Sequence, residues 1–270
     1  MAITAAMVKE LREMTGAGMM DCKKALTKTE GDMDAAVEFL RENGLAKAAK
    51  KAGRIAAEGL VAVAVSEDAK EAAIVEVNSE TDFVAKNDTF KAYVAEVADQ
   101  ALTTAAADIE GFLAEESKAE AGKTVKEALD GKIAVIGENL NIRRFAKVSA
   151  ADGFVASYIH AGGKIGVLVE VATDVVNDEI KEMAKNVAMQ VAAISPKYTS
   201  RDEVSKDYIE HETEILKVQA MNENPDKPEN IIEKTAADRE KTRILKILDT
   251  LPQNKLRVLR QCLELITKSE

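Results

Sequence analysis

Residues 58–77 read EGLVAVAVSEDAKEAAIVEV and residues 152–171 read DGFVASYIHAGGKIGVLVEV. This is one pattern written twice, 94 positions apart and without a gap. Gly59 meets Gly153, Val61 meets Val155, Ala62 meets Ala156 and Lys70 meets Lys164. Val75-Glu76-Val77 meets Val169-Glu170-Val171. A fixed offset of this kind marks two copies of one supersecondary unit. Each copy is an apolar run, a turn rich in polar residues or glycine, and a second apolar run, which predicts a β-hairpin. The register continues into a helix-like stretch, where Phe90, Val94, Val97 and Ala98 fall opposite Ala184, Ala188, Val191 and Ala192. That i, i+4, i+7, i+8 spacing makes one apolar face per helix. A lone hairpin is only marginally stable, so the helix is expected to lie across its own hairpin.

The flanking segments are helical in pattern. Helices are predicted over Ala5–Met14, stopped by Gly16-Ala17-Gly18, over Met20–Lys28, and over Met33–Asn43, capped by Asp32 and stopped by Gly44. Leu11, Met14, Leu26, Val37 and Leu40 supply their apolar faces, which makes a small three-helix bundle over 1–56. A basic helical stretch, AKAAKKAGR (46–54), leads out of it. Two short helices are expected near Asp108–Glu116 and Val125–Ala128, then an added strand at Asn141–Val148. Arg201–Met221 and Ile231–Asp249 read as a helical hairpin turned by NENPDKPEN (222–230). The fold class is therefore α+β. The division read from the sequence is 1–56 bundle, 57–140 and 141–200 core subdomains, 201–234 start of the hairpin, and 235–270 a helical tail.

Composition narrows the function. The net charge is −10, the wrong sign for gripping phosphate backbones, and aromatic residues are 4% with no Trp. Nucleic-acid binding would rest only on Arg143-Arg144 and the 46–54 stretch. Cys22 and Cys262 stand far apart, which fits a reducing, cytoplasmic setting. The first residues do not read as a signal peptide, and there is no apolar run of membrane-spanning length. AGKT (121–124) resembles the end of a phosphate-binding loop, but Ser117 stands where the pattern needs Gly, and no apolar strand precedes it. His160 and His211 are the only histidines, and no Cys–His cluster has metal spacing. His211 is expected to face solvent; His160, at a hairpin tip, is a candidate contact. The carboxylates are scattered, with no pair set for acid–base chemistry. No enzyme site and no cofactor are expected.

One junction stands out. VNSETDFVAKN (77–87) leaves the second strand of the first copy and places Asp82 beside Phe83. The aligned residues of the second copy are Val176 and Asn177, so the repeated architecture does not require the pair. Thr81 as a helix cap and Phe83 as a core residue form one reading. A carboxylate–aromatic tip that inserts into a protein pocket is the other.

Four motifs, MVKELREMTGAGMMDCKKAL (7–26), VNSETDFVAKN (77–87), GENLNIRRF (137–145) and HAGGKIGVLVE (160–170), resemble the bacterial elongation factor Ts family, collinearly over about residues 1–234. The resemblance implies a ubiquitin-associated-like bundle followed by two related α+β subdomains. It implies guanine-nucleotide exchange on elongation factor Tu, which itself holds the GDP or GTP and the Mg²⁺. By resemblance, Arg12, Met19 and Met20 touch the partner's G domain. Thr81, Asp82, Phe83 and Val84 form the motif that inserts beside its Mg²⁺ and nucleotide, and His160 meets another of its domains. The tail 235–270 departs from the family: Ile244, Ile247, Leu248 and Leu251, and after Pro252 Leu256, Leu259, Leu263 and Ile266, suggest two amphipathic helices. A contact between copies of the chain is an open reading for that tail. The alternative function is a helical adaptor that binds a protein without affecting nucleotide.

Overall fold

The computed structural model describes residues 3–196, 205–223, 231–234 and 258–264. Three helices come first: α1 (Ala5–Thr15), α2 (Met19–Lys28) and α3 (Met33–Lys51). Thr4 caps α1 by accepting from the Met7 amide at 3.3 Å, and Asp32 caps α3 by accepting from the Ala35 amide at 2.9 Å. Val8, Leu11, Cys22, Ala25, Leu26 and Ala36 close a small core, with Val37 and Leu40 against it. Met14 does not join them; it is 59% exposed, contrary to its assignment to the apolar face.

Gly44 does not stop α3, which continues to Lys51. A helix-interior glycine costs roughly 1 kcal/mol relative to alanine, so something must compensate. Gly44 is buried where α3 crosses α7 (Val125–Ile136), and a Cβ there would stand 3.3 Å from Ala134 Cβ. The missing side chain lets the two helices approach, and Arg41 seals the crossing with an ion pair to Glu127 at 2.6 Å. The helix near Val125–Ala128 is correspondingly longer than its local pattern suggested. Val125, Ala128, Leu129 and Ile133 form a buried stripe, and α7 ends at Gly137 with φ 90°. Thr124 of the AGKT stretch is its N-cap, in a capping box with Glu127, so that motif is a helix start.

The first copy of the repeat forms β1 (Glu58–Val65) and β2 (Glu71–Ser79), paired antiparallel. After β2 come the five-residue α4 (Asp82–Lys86), α5 (Asp88–Thr103) and α6 (Ile109–Ala114). β3 (Asn141–Ser149) pairs with β2, giving the order β1-β2-β3. The second copy forms β4 (Phe154–His160) and β5 (Ile165–Val171), followed by α8 (Asp178–Ile194). α5 buries Phe90, Val94, Val97 and Ala98, and α8 buries Ala184, Ala188, Val191 and Ala192, the residues that the repeat aligns. Each stripe packs on the strands of its own copy.

The sheets also pack on each other. Val61, Ala72, Ile74, Val148, Ala150, Val155 and Leu168 form a core between them. Successive side chains of a strand point to opposite faces, so β2 sends Ala73, Val75 and Val77 toward α5, and Ala72 and Ile74 toward the second sheet. The layers run helix, sheet, sheet, helix. The one charged residue buried in β2, Glu76, accepts from Arg144 Nε at 2.6 Å and Arg143 Nη1 at 3.1 Å. The two arginines that offered a nucleic-acid reading are thus paired with a buried carboxylate.

α9 (Lys206–Glu223) buries Leu216 and Ala220, and His211 on it is exposed, as expected. Residues 231–234 are helical, and Glu233 pairs with Lys217 at 2.6 Å. The rest of the expected hairpin helix and the stripe Ile244–Leu251 lie outside the described residues. In the second half of the tail, β6 (Val258–Glu264) pairs antiparallel with β5, giving the order β4-β5-β6. The helix expected around Leu256–Ile266 is corrected to a strand over Val258–Glu264. Seven residues are too few for periodicity to decide between helix and strand, and the free edge of β5 decides.

The repeat makes a sharp stability expectation. Gly59 and Gly153 have φ 141° and 107°, and a Cβ on them would meet Val77 O at 2.2 Å and Val171 O at 1.9 Å. Gly59→Ala and Gly153→Ala are each expected to lower unfolding free energy by about 2–4 kcal/mol. Gly131→Ala, inside α7 with nothing within 4 Å, is expected to raise it by about 0.5–1 kcal/mol. Urea midpoints of the three variants check this.

Candidate functional site

The passage from β2 to α5 is built by two successive caps. Thr81 is extended, φ −126° and ψ 156°, and its Oγ1 accepts from the Val84 amide at 3.4 Å, starting α4. Asn87, ψ 135°, breaks the helix direction and its Oδ1 accepts from the Thr89 amide at 2.8 Å, starting α5. In the second copy Asn177 alone caps α8, accepting from the Ile180 amide at 2.9 Å. The short helix is therefore particular to the first copy, in line with the repeat comparison.

Ala85 is buried and Val84 packs against the main core, so these two residues fasten α4. Phe83 points away and is 83% exposed. The core-residue reading of Phe83 is overturned. Asp82, half-exposed, accepts from Lys86 Nζ at 2.7 Å one turn along. That hydrogen bond holds the Asp82 carboxyl below its ordinary value of 3.8, against the opposing effect of desolvation and with a lesser contribution from the charge of Lys86. The same bond holds Lys86 above its ordinary 10.5. The tip thus presents an ionised carboxylate beside a bare aromatic ring at neutral pH.

Thr81 is not free to touch a partner in the same way. Its hydroxyl donates to Glu138 Oε1 at 2.6 Å. Glu138 Oε2 accepts from the Thr81 amide at 3.0 Å and from the Glu80 amide at 3.1 Å. Glu80 answers across the same gap: its Oε1 accepts from the Asn139 amide at 2.6 Å and lies 3.5 Å from Arg54 Nη1. Asn139 Nδ2 donates to the Arg54 carbonyl at 2.8 Å. Glu138 and Glu80 are functional candidates that sequence reasoning missed. The only available signal was that Glu138 stands at the start of the GENLNIRRF motif; no local pattern pairs it with a residue 57 positions away.

The other candidates lie elsewhere. Arg12 is exposed on the last turn of α1. Met19 and Met20 open α2 and are 60% and 75% exposed. Together with Met14 they make an exposed apolar rim around the Gly16–Gly18 turn, on the bundle. His160 ends β4, exposed, with its Nδ1 2.9 Å from Tyr158 Oη. Among the described residues there is no cluster of His, Cys, Asp or Glu able to hold a metal, and no helix long and apolar enough to cross a membrane.

Comparison with known proteins identifies the family. Residues 80–246 match the Elongation factor TS family. The chain is 59% identical over 237 residues to Elongation factor Ts of Clostridioides difficile (strain 630). It is 56% identical over 237 residues to that of Clostridium botulinum (strain Alaska E43 / Type E3), and 54% to that of Clostridium tetani (strain Massachusetts / E88). Each match covers 88% of this chain and 77% of the relative. With the Asp82–Phe83 tip displayed at the end of a duplicated hairpin-and-helix scaffold and identities at this level, the chain belongs to the elongation factor Ts family.

Proposed function

We propose that this chain is a guanine-nucleotide exchange factor that binds elongation factor Tu with GDP and speeds GDP release in the cytoplasm. It does so by contact alone, with no covalent step and no cofactor of its own. In this reading the bundle of residues 1–56 is a ubiquitin-associated-like docking unit whose Arg12, Met19 and Met20 meet the partner's G domain. Residues 57–140 and 141–200 are two related subdomains. The first carries the Asp82–Phe83 tip, the second meets the partner through His160, and the hairpin beginning at 201–234 and the tail 235–270 complete the chain.

The observation that carries this reading is the exposure of Phe83 on a short helix fastened to the core by Val84 and Ala85. A large exposed aromatic gives up roughly 1.5–3 kcal/mol of burial in the free protein, which insertion into a partner recovers. Asp82 stands beside it as an ionised oxygen donor, the kind of ligand Mg²⁺ takes. Phe83 wedges into the partner while Asp82 disturbs the oxygen shell of its Mg²⁺. GDP phosphates then lose their neutralising charge and the nucleotide leaves. Linkage supplies the rest. A factor that prefers nucleotide-free partner weakens GDP binding by the same ratio, at about 1.4 kcal/mol of differential contact per tenfold.

The test is release of fluorescent GDP from elongation factor Tu. Phe83→Ala is expected to reduce the maximal release rate by about tenfold or more, and Asp82→Ala to reduce it further in combination, while the bundle still docks. Release at the unaltered rate by the double variant overturns the wedge. Stable binding without any acceleration would instead identify an adaptor.

The Asp82–Lys86 pair sets a pH window. Asp82 has a depressed folded value, so its contribution is present above 3.8 and is lost as pH falls through that lowered value. Lys86 has a raised one, so its contribution is present below 10.5 and is lost as pH rises through the raised value. The order of α4 is therefore expected to be constant across neutral pH. In Lys86→Ala, NMR titration of the Asp82 side chain should show its pKa moving up toward the ordinary value.

A further inference from the structure

The Glu138–Glu80 exchange of hydrogen bonds joins more than two loops. Glu138 comes directly after Gly137, the residue that ends α7. α7 is locked against α3 at Gly44 and by the Arg41–Glu127 ion pair. α3 is a helix of the bundle that bears the exposed methionine rim, and just past its end Arg54 reaches both Asn139 and Glu80. The bundle and the base of α4 thus share one continuous set of contacts. One carboxylate takes three donors from residues 80 and 81, and the other takes one amide donor from the opposite side and pairs with Arg54 at 3.5 Å. Charged acceptors of this kind make stronger, better-directed bonds than neutral ones.

We propose that Glu138 and Glu80 are positioning residues of the exchange reaction, a reciprocal clamp that fixes the angle of the Asp82–Phe83 tip relative to the bundle. This rests on the exchange reading above. Neither carboxylate touches the partner. Their work is to keep the base of α4 in register with α3, so that docking of the bundle delivers Phe83 at one orientation. Losing the clamp leaves the bundle's contacts intact and lets the tip arrive in many orientations. The maximal rate should fall while the concentration for half-maximal rate changes little.

Three measurements test it on the full chain. In the free protein, amide hydrogen exchange of residues 80–86 is expected to quicken by about tenfold or more in Glu138→Gln, with the melting midpoint near that of the parent, because the core contacts of Val84 and Ala85 are kept. With elongation factor Tu and fluorescent GDP, Glu138→Gln is expected to lower the maximal release rate by about fivefold or more, with half-saturation within about twofold. In the Phe83→Ala background the same substitution is expected to have little further effect, since both act through one tip. Glu80→Gln, which loosens the clamp from the other side, should repeat the pattern and serves if Glu138→Gln folds poorly. Unchanged amide exchange in both variants overturns the clamp. Faster amide exchange with an unchanged release rate overturns its positioning role, provided Phe83→Ala is slow. If Phe83→Ala is itself as fast as the parent, the exchange reading fails first, and the positioning role falls with it while the amide data stand alone.

Discussion

The two sheets approach closely at Gly166, where a Cβ would stand 2.5 Å from Val61 Cγ1 and 2.7 Å from Ile74 Cδ1. Gly163 makes a second contact nearby: its carbonyl accepts from the Val61 amide at 2.7 Å. These two glycines let the second hairpin lie directly on the first. With α5 on its other face, β2 is then buried from Ala72 to Ser79. A strand enclosed on both sides cannot slip by one residue without turning two apolar sets the wrong way. The end of β2 is thereby fixed in space, and the chain enters α4 from a set position.

The form of α4 is the consequence. Five residues are far too few to be helical alone. Val84 and Ala85 gain their order from the core below, and the Thr81 cap gains its order from Glu138 at the side. Phe83 is left as the residue that neither support uses. Among the described residues nothing covers the ring, and the adjacent position, Val84, packs against the core instead. The exposed tip is thus a property of the packing beneath it as much as of its own two residues.

Much of this was legible in the chain. The repeat predicted both hairpins and the helix over each, down to the four aligned core positions on α5 and α8. The comparison of Asp82–Phe83 with Val176–Asn177 marked the first-copy tip as extra. Illegible parts share one cause: they depend on a distant partner. Gly44 reads as a helix stop until α7 supplies a reason for a glycine within a helix. Met14 sits at a core spacing, yet the bundle is too small to cover it. Residues 258–264 carry a helical spacing, yet they meet the open edge of β5. Face-to-face packing of the sheets left only a hint, in the unbroken apolar run Ala72–Val75 of β2 where a half-exposed strand would alternate. Glu138 could be read only as part of the GENLNIRRF motif, since a glutamate after a glycine at a helix end is ordinary, and only the fold brings Thr81 to it.

The asymmetry between the copies has a physical reading. Both connections leave a buried strand and must reach a helix that lies across the same sheet. The second does so through Thr173–Asn177, with Val175 and Val176 half-exposed and one cap at the end. The first inserts a helical turn between two caps and meets Glu138, a residue just past α7, which lies between the copies in sequence. A free loop would sample many arrangements and surrender that freedom on binding. A turn held at its base by a carboxylate and beneath by the core has surrendered it on folding. Under the proposed exchange role, burial of Phe83 against a partner is then offset less by ordering, and more of it is available to distinguish one state of that partner from another.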